Sequence, residues 1–164
     1  MTTSFSGQVA LGIPVPATML AFDDTDSPDG MCTTYLTTIM LEELSDLDLL
    51  GWPRLVRLNP NVPWKTRGNA AVCLPLGHGE GRGSVCGRLD RGEVRWYKRG
   101  RPADPCELLE RAAKVVARNA RFECHTTNPG VVVSVDRPSP SLYWRAVREV
   151  VQLEDVEAEL DARG

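Results

Sequence analysis

Asp23-Asp24-Thr25-Asp26-Ser27-Pro28-Asp29-Gly30-Met31-Cys32-Thr33-Thr34-Tyr35 follows directly on the apolar run Met19-Leu20-Ala21-Phe22. Together they read as a strand, an acidic turn and a helix start. Carboxylates at the end of a strand hold hard cations through oxygen ligands, and the free N–H groups of a helix start attract phosphate. Asp23, Asp24 and Asp26 are therefore candidates for handling Mg2+ and a nucleotide, with Asp23 and Asp24 as the metal ligands. Ser27 is a candidate nucleotide contact, and Thr33 and Thr34 could each bind phosphate, accept a phosphoryl group or cap the helix. The same residues also suit an acidic surface turn with an Asx cap, and the threonines suit a simple helix cap.

Outward from this turn, Leu36, Ile39, Met40, Leu44 and Leu47 recur at helical spacing, which predicts a helix over 32–47. Gly51, Trp52 and Pro53 end it. Residues 54–58 alternate as a half-buried strand, 70–76 read as a second strand, and 77–83 with four glycines as a turn. Residues 85–89 and 93–98 suit a hairpin. Asp104-Pro105-Cys106-Glu107 is a helix start with an N-cap acid, proline in the first turn and glutamate three residues after the cap. Val131-Val132-Val133-Ser134-Val135 reads as a central strand, and Ser139-Pro140 opens another helix. The order strand-helix-strand-strand-helix-strand-helix matches an α+β, ferredoxin-like split βαβ sandwich, with the hairpin as an insertion. Residues 1–18 are expected to be a flexible N-terminal arm, 19–151 an ATP-using catalytic domain and 152–164 an acidic C-terminal tail.

The 164 residues suffice for one domain, and 42% hydrophobic with 25% charged residues is ordinary globular composition. A net charge of −3 argues against a general nucleic-acid coat, but charge is unevenly spread. Residues 82–101 hold seven Lys or Arg against two acids, while 149–161 hold six acids and no base. Five scattered cysteines without a Cys-x-x-Cys pair suit reduced thiols, and no zinc site is expected within the chain. No apolar run is long enough to span a bilayer, so a cytoplasmic protein with no membrane partner is expected.

Three further stretches carry chemistry. The irregular segment 59–69 holds Asn61, Lys65, Arg67 and Asn69 after Arg54 and Arg57. Cations facing an acidic metal site complete phosphoryl-transfer chemistry by neutralising developing charge, which makes Lys65 and Arg67 catalytic candidates and Arg57 and Asn69 nucleotide contacts. Thr126-Thr127-Asn128-Pro129-Gly130 is a tight turn by composition, or else a loop lining the same cleft through Asn128 and Gly130. Arg95-Trp96-Tyr97-Lys98-Arg99 mixes bases and aromatics, which suits stacking on unpaired nucleotides, with Arg95, Trp96, Lys98 and Arg99 as RNA contacts. A non-catalytic RNA-binding or partner-docking module is the alternative.

Asp-Asp-Thr-Asp-Ser at 23–27 with Gly-Met-Cys-Thr-Thr-Tyr-Leu at 30–36, Arg-Leu-Val-Arg-Leu-Asn-Pro-Asn-Val-Pro-Trp-Lys-Thr-Arg-Gly-Asn at 54–69, and Thr-Asn-Pro-Gly at 127–130 resemble the N-terminal part of the archaeal isoleucine-tRNA agmatidine synthetases. The resemblance runs from about Met19 to about Val156. It implies an ATP-dependent ligase that joins agmatine to the wobble cytidine in the anticodon loop of an isoleucine tRNA, after phosphorylation activates the C2 carbonyl of the base. It implies that Asp23, Asp24 and Asp26 handle magnesium and ATP, that Thr34, or Thr33 one residue earlier, becomes autophosphorylated, and that Arg57, Lys65 and Arg67 serve the phosphates. The family enzymes continue into an OB-fold and a zinc ribbon, so these 164 residues are expected to be the catalytic part alone and incomplete for the full reaction.

Overall fold

In the computed structural model, which describes residues 17–66 and 68–161, the first strand β1 (Thr18–Asp23) alternates strictly. Thr18, Leu20 and Phe22 are buried, while Met19, Ala21 and Asp23 take the other face. Helix α1 (Thr33–Glu43) follows and buries Leu36 and Met40 completely. It is shorter than its apolar period suggests. Residues 44–47 instead form a turn, closed by the Leu47 N–H on the Leu44 carbonyl at 2.9 Å, that leads into β2 (Asp48–Leu49). Asp46 in that turn accepts a 2.8 Å hydrogen bond from Arg111, so a distant residue holds the place where the helix stops.

Strand β3 (Arg54–Arg57) comes next, then the ten-residue β4 (Ala70–Gly79). The glycine-rich stretch expected as a turn from residue 77 continues the strand through Gly79. Gly79 and Gly83 are needed because the Tyr97 ring lies against both, where a Cβ would overlap it. The expected hairpin is present as β5 (Ser84–Leu89) and β6 (Gly92–Trp96), followed by the short β7 (Gly100–Pro102). Helix α2 (Pro105–Asn119) starts at the expected cap, with the Asp104 carboxylate accepting from the Glu107 N–H at 2.8 Å. After β8 (Gly130–Ser134), helix α3 (Pro140–Arg148) is capped by Ser139 on the Leu142 N–H, and α4 (Leu153–Asp161) closes the described chain.

The strands form one eight-stranded mixed sheet in the order β5-β6-β2-β4-β1-β8. Long β4 is its axis. One edge of β4 pairs with β1 and then β7, and the other with β3 and then β2. Strands β8, β1, β4 and β3 are consecutively antiparallel, so β4 lies between two strands joined through α1, the arrangement of a split βαβ unit. β8 is a correction to the sequence reading: it pairs only with β1, at the sheet edge, and Val132 is half exposed. A continuous β-branched run satisfies strand propensity at an edge as well as at the centre.

Helices α1 and α2 cover one face of this sheet. Leu36 and Met40 from α1 meet Leu108, Ala112, Val115 and Val116 from α2 over Leu20, Phe22, Val72, Leu74 and Leu76. Each such large side chain contributes about 1.5–3 kcal/mol on burial. This core fixes the end of β1, and therefore the acidic turn that leaves it. Of the expected N-terminal arm, Ala17 and Thr18 are buried and the remainder lies outside the described residues. The acidic segment expected as a tail folds as α4, held by Arg145 to Asp155 at 2.8 Å and by the Ser139 N–H on Glu159 at 2.8 Å.

Candidate functional site

Adjacent residues on a strand face opposite ways, so Asp23 and Asp24 share a site only if the chain turns between them. It does. Asp24 takes a left-handed conformation with φ of 47°, which asparagine and aspartate adopt more readily than other side chains, and both carboxylates then line one cleft of ≈ 520 Å³. Asp26 joins them. The turn is tied down by its own residues: the buried Ser27 hydroxyl donates to the Gly30 carbonyl at 3.0 Å, and the Thr25 hydroxyl donates to that of Thr33 at 3.2 Å.

The loop before β8 closes the cleft from the other side. The Asn128 N–H donates to the Asp24 carboxylate at 2.9 Å, and the Thr127 hydroxyl donates to the Asp26 carbonyl at 2.7 Å. Gly130 pairs with Asp23 in the sheet, and a Cβ on it would sit 3.0 Å from the Asp23 carboxylate. The third wall is the 59–69 segment. Its Asn59 side chain accepts from the Asn61 N–H at 2.9 Å, Asn69 donates to the Asn59 carbonyl at 2.9 Å, and Thr66 donates to Thr126 at 3.0 Å. Lys65 lines the cleft with its ammonium on the Val62 carbonyl at 2.9 Å.

Crowding three carboxylates into a part-buried cleft has an electrostatic cost. Burial pushes the Asp23 carboxyl up to about 6, with the Asp24 charge adding to the shift and the Gly130 N–H opposing it. Asp24 is also raised, first by burial, against the hydrogen bond from Asn128 and with the charge of Asp26 adding. Among the described residues no three His, Cys, Asp or Glu groups converge as a ready metal cage. Magnesium needs less than that, since one or two carboxylates plus waters and substrate phosphates complete its shell. Asp23 and Asp24 supply hard oxygens whose mutual repulsion a cation would relieve, so the donor set fits.

Of the residues singled out in the sequence, Asp23, Asp24, Asp26, Lys65, Asn69 and Asn128 meet in this cleft. Ser27, Thr33 and Gly130 shape its surroundings. Thr33 is buried against Thr25, whereas Thr34 is exposed at the start of α1, 2.9 Å from the Cys32 sulfur. Arg57 is exposed on β3 and lies against Gly68, which has no side chain to obstruct it. Arg67 lies outside the described residues.

The basic aromatic segment is elsewhere. The hairpin and β7 join the sheet at the Gly77–Gly79 end of β4, whereas the cleft lies at the Ala70 end. Along the strand this is a separation of roughly 20–30 Å. Trp96 is half buried and packs on Trp52 with 5.7 Å between ring centres, and Arg95 is held by Glu93 at 2.7 Å and the Gly83 carbonyl at 3.0 Å. Lys98 and Arg99 are exposed.

The structure also adds residues that sequence reasoning missed. Trp64, Glu149, Val150, Val151 and Val156 line the same cleft, the last four from α3's end and α4. Neither a period nor a motif connects 149–156 with 23–26. The link is tertiary, through the Asn59 N–H on the Ala146 carbonyl at 2.9 Å. No helix among the described residues is long and apolar enough to cross a membrane, and the five cysteines are free thiols.

The chain is 41% identical over 138 residues to the isoleucine-tRNA 2-agmatinylcytidine synthetase TiaS of Thermoplasma volcanium, covering 84% of this chain and 31% of that protein. With the enzyme of the same name from Methanocorpusculum labreanum it is 40% identical over 147 residues, covering 89% and 30%. It thus spans under a third of the length of these relatives. The crystal structure of TiaS in complex with its isoleucine tRNA and ATP superposes with a TM-score of 0.66 at 30% identity, covering 91% of this chain and 31% of that one. The complex of TiaS with the same tRNA, AMPCPP and agmatine superposes with a TM-score of 0.63 at 28% identity, again covering 91% and 31%. The family model for the TiaS TCKD domain matches residues 19–164, and the chain belongs to that family.

Proposed function

We propose that this domain binds ATP with magnesium in the acidic cleft and carries out the phosphoryl-transfer part of a tRNA cytidine modification. The observation that carries the reading is the meeting of Asp23, Asp24 and Asp26 with Lys65 and Asn128 around one cleft, from three separated stretches of chain. Magnesium would supply neutralisation of phosphate charge there. Asp23 and Asp24 would hold it, Asp26 would orient its waters, and Lys65, with Arg57 and Arg67 nearby in sequence, would offset charge on the transferring phosphoryl group.

In the reaction that the family resemblance implies, the phosphoryl group passes to the C2 oxygen of the wobble cytidine. The amine of agmatine then attacks C2, and phosphate leaves with that oxygen. Thr34 is the hydroxyl available for an intermediate autophosphorylation, since it is exposed whereas Thr33 is buried against Thr25. Lys98 and Arg99 would contact tRNA phosphates away from the cleft. The relatives extend well beyond the matched part, so the complete reaction is assigned to this domain acting with what the relatives hold in the rest of their length.

Calorimetric titration with Mg·ATP tests the reading. Asp24→Asn is expected to lower affinity at least about tenfold, as loss of a charged ligand to a cation does. Wild-type affinity in that variant would overturn the assignment.

A further inference from the structure

Three consecutive residues of the loop before β8 reach separate parts of the cleft wall. Asn128 donates its N–H to the Asp24 carboxylate at 2.9 Å, Thr127 donates its hydroxyl to the Asp26 carbonyl at 2.7 Å, and Thr126 accepts from the Thr66 hydroxyl at 3.0 Å. The first two bonds hold the acidic turn. The third holds the 59–69 segment, 60 residues away, and the Thr66 hydroxyl also lies 3.3 Å from the Thr126 carbonyl. Both threonines are half-buried, where a hydrogen bond is stronger than in open water.

Thr66 directly follows Lys65, and both line the cleft. Among the described residues, the other side-chain hydrogen bonds of the 59–69 segment stay inside it: Asn61 on Asn59, Asn69 on Asn59 and Lys65 on Val62. Those bonds give the segment its own shape but do not register it against the aspartates. Thr66 does, because consecutive Cα atoms are fixed about 3.8 Å apart, so anchoring Thr66 anchors the root of Lys65. The Lys65 ammonium bonds a neutral carbonyl, which leaves its charge and its further donors for an anion. A lysine is a point charge on a flexible stem, so what it favours depends on where its root is held. ATP and ADP differ by the terminal phosphoryl group alone.

We propose that Thr66, through Thr126, is a positioning residue that sets Lys65 at the terminal phosphoryl group and so gives the cleft a preference for ATP over ADP. This rests on the nucleotide site proposed above. The effect runs through Lys65 and needs no contact between either threonine and the nucleotide. The test is calorimetric titration of the protein with Mg·ATP and, separately, with Mg·ADP, read as the ratio of the two affinities. Lys65→Ala sets the ratio of a cleft without the lysine. Thr66→Val keeps the shape, removes the hydroxyl and is expected to lower the ATP-to-ADP ratio about fivefold, the effect of one lost hydrogen bond. Thr66→Ser keeps the donor and should keep the wild-type ratio. Thr66→Val added to Lys65→Ala should change the ratio no further, since both act through one ammonium. General loosening of the fold lowers both affinities together, so an unchanged ratio in Thr66→Val overturns the proposal. So does a further fivefold fall when Thr66→Val is added to Lys65→Ala, or a wild-type ratio in Lys65→Ala. Equal wild-type affinity for the two nucleotides overturns it and leaves the nucleotide site standing, whereas binding of neither overturns the nucleotide reading and this proposal with it.

Discussion

The Thr127 hydroxyl donates a 2.7 Å hydrogen bond to the carbonyl of Asp26, 101 residues earlier, and so fastens the loop before β8 to the acidic turn after β1. Thr127 is buried, so no solvent replaces the bond when it is lost. Thr127→Val keeps the shape and removes the donor. It should cost about 1–2 kcal/mol, read by urea unfolding, and should weaken Mg·ATP binding because the Asp26 turn loosens. Unchanged stability would mean that the two loops hold their positions independently.

The raised Asp23 carboxyl makes a pH prediction. Folded Asp23 releases its proton near 6 instead of the usual 3.8, so the folded state binds more protons between these values and stability falls as pH rises through that window. Asp23→Asn should remove this slope and stabilise the ligand-free domain at neutral pH by up to roughly 2–3 kcal/mol. A cation requires the ionised carboxylate, so Mg·ATP affinity in the wild type should rise from pH 5 to pH 7. Melting curves across pH, with and without Mg·ATP, check both parts.

Gly79 and Tyr97 form a packing pair remote from the cleft. A methyl on Gly79 meets the Tyr97 ring, so Gly79→Ala should destabilise by about 1–3 kcal/mol. Adding Tyr97→Ala should recover part of that loss, giving a clear non-additivity in a double-mutant cycle. Mg·ATP affinity should be unaffected in all three variants.

The hairpin residues are not equivalent towards RNA. Lys98 and Arg99 are exposed, whereas Arg95 already bonds Glu93 and the Gly83 carbonyl. Replacing Lys98 and Arg99 with alanine should lower tRNA affinity and reduce its salt dependence by about one unit of slope per charge, measured by fluorescence anisotropy. Arg95→Ala should have the smaller effect. An equal loss in Arg95→Ala would overturn the distinction, and no loss in any variant would remove this segment from the RNA-contacting surface.

Much of the fold was legible because its signals are local. The apolar run from Met19 to Phe22, the period of α1 and the caps at Asp104 and Ser139 each depend on residues within a few positions of one another. What could not be read locally is where elements end and what flanks them. α1 stops at Glu43, with the turn beyond it held by Arg111 from α2, and β4 runs on through Gly79 because Tyr97 and β7 lie against it.

The sequence by itself determined the residue types of the site: carboxylates after a strand, a lysine in an irregular loop, and an asparagine before another strand, all chemistry that requires particular side chains. Only the tertiary structure decided which of these meet. The left-handed turn at Asp24 brings two neighbouring carboxylates into one cleft, and the sheet separates the basic hairpin from it. The packing of α3 and α4 carries Glu149 and Val156 to the wall beside the aspartates. Side-chain chemistry is written residue by residue, but proximity across a hundred residues is set by the burial of one shared core and by hydrogen bonds that exist only once the core has formed.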